Sequence, residues 1–196
     1  MGALGKAKAQ ELVVADNFAD TTNFSSGAGT WTVSSNIAYV TPGASGTSLL
    51  QLKALSTSSY TIVLQLATSV RGGIFYNATT SLSSYQAVMI DVASNEIRAI
   101  TVSTGTESTS NVGFTGSLFA STYYTMKLIN TGDSGEIWLD GTKQADITSH
   151  TFDSGVCGII MQGSGSSSYA KDFQVTIDSY FHSDAEITTA IAVSQA

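Results

Sequence analysis

The chain has 196 residues, 42% of them apolar and 12% charged, with a net charge of −7 and a mean hydropathy of +0.14. That apolar share supports one core and excludes general disorder. The eight Lys and Arg residues are scattered rather than striped, which argues against nucleic acid and anionic membranes as partners, and no apolar run approaches the roughly 18 to 20 residues of a membrane span.

Residues 1–15 mix Ala, Lys, Gln, Glu and Leu, a helical composition, and are expected to form an N-terminal arm. The apolar stretch Leu12 to Ala15 is shorter than the roughly 7 to 15 residues of a signal-peptide core, so no signal peptide is expected and synthesis is placed in a host cytoplasm. Gly2 is followed by Lys6, where a myristoylation motif needs Ser or Thr. From Asp16 onward, short apolar runs alternate with Gly, Ser, Asn and Asp, and the 29 Ser and 25 Thr favour strands over helices.

The predicted strands are Thr30–Val33, Ile37–Val40, Ser48–Lys53, Tyr60–Leu66, Gly73–Asn77, Tyr85–Asp91, Glu96–Ser103 and Val112–Phe114. Tyr123–Asn130, Glu136–Leu139, Thr142–Ile147, Val156–Gln162 and Lys171–Ile177 follow. Tyr60, Ile62, Leu64 and Leu66 share one face of the clearest of these, which fixes its register. Thr104–Asn111 and the Gly/Ser-rich stretch Gly163–Ser168 read as exposed connections. The expected architecture is all-β: a two-sheet antiparallel sandwich over residues 16–180, with a C-terminal tail over 181–196 and no internal repeat. Cys157 is the only cysteine; it reads as a small buried strand residue, and no intramolecular disulfide can form.

The segment from Tyr123 to Ile129, the turn through Asp133 and Gly135, and Glu136-Ile-Trp-Leu-Asp-Gly-Thr142 carry the strongest signal. Asp140-Gly141 fits a type I′ hairpin turn, which requires two positive φ angles. This passage resembles the concanavalin-like and laminin-G-like sandwiches, and the resemblance continues through Phe152, Gly155 and Gly158-Ile-Ile160 to Lys171-Asp-Phe-Gln-Val175. Asp16-Asn-Phe18, Gly29-Thr-Trp-Thr-Val33 and Ile37-Ala-Tyr39 are similar to openings of phage-encoded members of that superfamily. The resemblance implies a jelly-roll topology over Asp16 to Ile177.

Glycoside hydrolysis needs two carboxylates about 5 to 10 Å apart. Glu136 and Asp140 sit on one strand face about 13 Å apart at strand rise, and Asp140 is explained by its turn. Asp91 and Glu96 flank another hairpin. His150 and His182 are the only histidines, without a nucleophile elbow around any Ser, and no Cys/His cluster suits zinc. No catalytic residue and no cofactor are expected. Calcium stays open, because Asp16, Asp20, Asp153, Asp172 and Asp178 could bring loop carboxylates together, although without EF-hand spacing.

A glycan site needs exposed aromatic rings beside amides or carboxylates, and Tyr76, Asn77, Tyr85, Tyr123, Tyr124 and Tyr169 are the candidates, while Trp31 and Trp138 read as core anchors. Two functions remain open. The first, implied by the phage-like opening, is a non-enzymatic virion protein, a capsid decoration or cement protein whose terminal segments dock onto other virion subunits in a homo-oligomer or larger assembly. The alternative is a carbohydrate-binding adhesin or a tail or fibre module that recognises host surface glycans.

Overall fold

A computed structural model describes residues 8–20, 22–40, 46–53, 58–112, 114–148, 150–151, 155–163 and 168–180. The expected tail over 181–196 lies outside the described residues, as do residues 1–7, Pro42 and Phe152. Among the described residues there are fifteen strands and no helix, in two antiparallel sheets.

Sheet A runs in the order β13 (Thr142–Ile147), β12 (Gly135–Leu139), β11 (Tyr124–Thr131), β6 (Ser59–Ala67), β15 (Ser168–Tyr180), β4 (Ile37–Val40) and β3 (Trp31–Ser34), with β1 (Lys8–Asp16) also beside β15. Sheet B runs β10 (Thr106–Val112), β9 (Glu96–Ser103), β8 (Tyr85–Asp91), β7 (Arg71–Ala78), β14 (Val156–Gly163), β5 (Gly46–Leu52) and β2 (Phe24–Ala28). The jelly-roll sandwich read from the sequence is the observed fold.

Alternation sets the register. Tyr60, Ile62, Leu64 and Leu66 are all fully buried, and β6 pairs with β11 from Tyr124↔Leu66 to Thr131↔Ser59 without a shift. A one-residue slip would turn all four side chains to solvent. The hairpin between β12 and β13 has φ of 47° at Asp140 and 77° at Gly141, with Leu139 opposite Thr142, as a two-residue I′ turn requires. Asp140 accepts a hydrogen bond from the Thr125 N–H at 2.7 Å, which ties this turn to the start of β11.

Three segments not read as strands in the sequence are strands, the first being β2, Phe24–Ala28, paired with β5 from Phe24↔Leu52 to Ala28↔Leu49. Lys8–Ala15, expected within an N-terminal arm of helical composition, belongs to β1, a strand paired with β15 from Lys8↔Tyr180 to Asp16↔Phe173. The reason is tertiary: β4 pairs with β15 only over Ser168 to Ala170, which leaves a long row of β15 backbone groups that β1 satisfies. Thr104–Asn111, expected to be an exposed connection, contributes β10, paired with β9 from Thr106↔Ser103 to Val112↔Ile97.

The main core lies between the sheets, built from β6, β11 and β15 on one side and β7, β8 and β14 on the other. Phe24 packs on Phe18 at 5.2 Å and edge-on to Phe173 at 5.3 Å, and burying each such ring contributes about 1.5–3 kcal/mol. The core also holds a polar knot. Tyr60 and Asn130 donate to the Asn77 side-chain oxygen at 3.1 and 3.0 Å, and Asn77 donates to Gln86 at 3.4 Å.

Sheet B is apolar on both faces. Ile74, Val88, Ile90 and Ile159 face sheet A, while Leu49, Phe75, Met89, Ile100 and Ile160 form a second buried cluster on the opposite face. What covers this face is the sheet itself. Gln162 of β14 donates to Glu107 of β10 at 3.2 Å and to Thr47 of β5 at 3.0 Å, although β9, β8 and β7 separate β10 from β14. In a flat sheet those strands would lie ~19 Å apart, so sheet B must curl until its corners meet. The Thr47 hydroxyl also reaches the Tyr85 phenol, and Leu82 in the β7–β8 loop abuts Gly27 of β2.

Candidate functional site

The curl of sheet B decides where a ligand can go. Its concave face is filled by the chain's own side chains, so the open sheet surface is the outer face of sheet A. The strand period places Tyr39, Tyr169, Lys171, Gln65, Thr125 and Trp138 there, opposite to the inward set of Ala38, Ala170, Leu64, Leu66, Met126 and Leu139.

Three tyrosines come together at one end of this face. Tyr39 and Tyr169 are directly paired across β4 and β15, with ring centroids 6.5 Å apart and an interplanar angle of 41°. Tyr123, just before β11, is 40% exposed and Tyr39 37%. The Lys171 ammonium sits 4.3 Å over the Tyr123 ring. Partial burial, together with neighbouring Tyr169 and the Asp172 carboxylate, raises the Tyr123 phenol above its ordinary value of 10.0.

A polar groove of about 510 Å³ adjoins these rings, lined by Ala15, Asp16, Asn17, Gln65, Asp172 and Gln174. A bulge in β15 builds it: the register against β6 shifts between Lys171 and Gln174, and Asp172 takes a φ of 52°, which Asp tolerates better than most residues. The bulge turns Phe173 into the core and leaves Asp172 in the groove. Asp16 is held as a structural group: it accepts from the Phe18 N–H at 2.6 Å and from the Asn23 amide at 2.8 Å. Asp172 is therefore the groove carboxylate exposed to solvent.

Of the six residues singled out by sequence, Tyr123 and Tyr169 belong to this surface and the other four do not. Tyr76 and Asn77 are 1% exposed, Tyr85 5% and Tyr124 7%. Burial raises the Tyr76 phenol, Asn77 is engaged in the polar knot, and Tyr124 accepts from the Phe119 N–H at 2.7 Å. Buried rings cannot stack on a sugar. Sequence alone does not mark Tyr39 as a surface ring of this cluster, because its pairing partner, Tyr169, is remote in the chain.

Trp138 is not a core anchor. It stands on the outer face with Lys127 at 4.1 Å from its ring, and its indole N–H donates to Glu136 at 2.8 Å. Glu136 also pairs with Lys143 at 2.9 Å, and these contacts lower its carboxyl from the ordinary value. Trp31 is partly buried and packs against the main core.

Among the aspartates considered for calcium, Asp20 caps the Thr22 N–H, while Asp153 and the side chain of Asp178 lie outside the described residues. No three His, Cys, Asp or Glu side chains among the described residues come close enough to share a metal ion.

No family model and no curated protein matches the chain. Solved structures do. The carbohydrate-binding module CBM66 from Bacillus subtilis superposes with a TM-score of 0.68 at 14% identity, covering 79% of this chain and 95% of that one. A Bacillus subtilis protein of unknown function with a galectin-like fold gives 0.63 at 10% identity, covering 88% and 98%. The Emp47p carbohydrate recognition domain gives 0.59 at 12% identity, covering 84% and 94%. Glycosyl hydrolases of the same architecture are similar as well. At these identities the likeness is one of fold.

Proposed function

We propose that this chain is a non-catalytic carbohydrate-binding module that holds a glycan on the outer face of sheet A, across Tyr39, Tyr169 and Tyr123. The observation that carries this reading is the convergence of three surface tyrosines on a groove that carries Gln65, Asn17, Asp172 and Gln174. Sugar rings present apolar C–H faces that stack on aromatic rings, while their hydroxyls pair with amides and carboxylates. The fold's likeness to a carbohydrate-binding module and a carbohydrate recognition domain supports the same reading. With Asp16 and Glu136 both engaged in structural bonds, the described face offers no free carboxylate pair for glycoside hydrolysis.

Affinity electrophoresis of the purified chain through gels containing soluble polysaccharides tests this. Retardation by at least one polysaccharide is expected, weakened about tenfold or more in Tyr39→Ala/Tyr169→Ala, without release of reducing sugar. A double variant retarded like the wild type would refute the platform. The comparisons favour carbohydrate binding over a capsid role. A place in a phage-like particle rests on the opening motifs alone, and a receptor-binding module of such a particle would use this same face.

A further inference from the structure

The inner positions of a sandwich strand are ordinarily apolar, and β10 breaks that rule. Ser108 and Ser110, on the cleft side of β10 yet exposed, stand opposite Thr101 and Ala99 of β9. Small hydroxylated side chains cannot fill the space to β13, so the two sheets gape at this edge. The result is a cleft of about 520 Å³ between them, within the roughly 300–1,000 Å³ range of small-molecule sites.

We propose that this cleft is a second binding site, for one neutral polyhydroxylated unit of monosaccharide size. The hydroxyls of Thr101, Ser108, Ser110 and Thr148 line it, and those of Ser108, Ser110 and Thr148 are on solvent-exposed residues that a guest can reach. Each is both donor and acceptor, as the hydroxyls of a sugar are. Ile137 and Ile147 form the opposite wall and suit the C–H face of a pyranose or furanose ring. The carboxylate on that wall, Asp146, is held by Lys143 at 2.6 Å, so the cleft selects for an uncharged guest.

Tyr76 carries the argument inward. It lines the cleft and takes the His150 ring edge-on at 5.4 Å, and both His150 ring nitrogens are buried without a partner among the described residues. An imidazole offers at least one donor, and burying that donor without a partner is unfavourable. This end of the sandwich therefore has hydrogen-bonding capacity that the described residues leave unfilled.

The cleft faces inward and the tyrosine platform outward, so the two readings stand or fall separately. Titration of isotopically labelled chain with D-glucose, D-galactose, D-mannose, D-fructose and glycerol, followed by amide resonances, provides the test. At least one of these compounds is expected to give saturable shifts confined to Thr101, Ser108, Ser110, Thr148 and His150. Ser110→Phe and, on the opposite wall, Thr148→Phe should each weaken binding about tenfold or more, while Tyr39→Ala/Tyr169→Ala leaves it unchanged. Absence of saturable shifts with all five, or shifts that persist in both phenylalanine variants, would overturn the proposal. Shifts lost only in the tyrosine double variant would assign the binding to the platform instead.

Discussion

Gln162 donates to the Glu107 carboxylate at 3.2 Å although three strands lie between β14 and β10 in their sheet. This contact marks where sheet B closes over its own apolar face. Glu107→Ala is expected to cost about 1 kcal/mol. Leu82→Ser is expected to raise binding of a hydrophobic dye, because Leu82 shields the region around Gly27 and Leu49. Urea unfolding and dye fluorescence check both; dye binding unchanged in Leu82→Ser would show that the face is covered without that loop.

Asp91 is fully buried between Arg71 at 2.7 Å and Arg98 at 2.9 Å. Burial by itself would raise its carboxyl, but the Ser94 N–H and the two guanidinium groups outweigh it and hold the group below the ordinary 3.8. The unfolded chain therefore takes up the proton first. The stability from this site is complete above about pH 4 and is lost as pH falls through the lowered folded value. Asp91→Asn should destabilise the neutral-pH protein by about 1–3 kcal/mol, since it removes the buried anion shared by Arg71 and Arg98, of which Arg98 retains Glu96 at 3.4 Å. Denaturant midpoints between acid and neutral pH check this, and a variant whose acid sensitivity matched the wild type would sink it.

Cys157 is fully buried, and burial raises its thiol well above the ordinary range. The thiolate is the reactive form. A thiol-specific chromogenic reagent should leave the native chain unmodified and react with one equivalent once it is unfolded. Rapid labelling of the folded protein would contradict the placement of Cys157 inside β14.

Gly73 lies where β7 crosses close to β8. A methyl group there would collide with the Val88 carbonyl and come within 2.7 Å of the Met89 Cα, backbone that cannot yield as a flexible side chain would. Gly73→Ala should cost about 1–3 kcal/mol, read as a lowered thermal midpoint. An unchanged midpoint would mean that this pair of strands is looser than described.

Much of sheet A was legible in sequence because it is amphipathic: β6 and β11 alternate, and the Asp140-Gly141 turn names its own geometry. The inner strands of sheet B (β9, β8, β7, β14 and β5) were legible as strands but not as a surface, and its edge strands β10 and β2 were not legible. Continuous burial along β7 and β8 removes the alternation that tells inside from outside, so Tyr76 and Tyr85 could be read as surface rings. β1 was hidden for another reason. Its composition is helical, and only the vacant edge of β15, a long-range feature, makes it a strand. Within the candidate site, Tyr123 and Tyr169 were visible as aromatics beside polar residues, whereas the groove depends on a bulge whose sequence, Lys171-Asp172, gives no distinct signal.

The pairing of Lys8 with Tyr180 has a mechanical consequence. β1 runs antiparallel to β15, so Lys8 and Tyr180 lie side by side. Tension applied at these two residues would peel the two strands apart one residue pair at a time, rather than loading all their hydrogen bonds at once. β1 would act as a yielding tether, releasing length under low force while the rest of the sandwich remained folded.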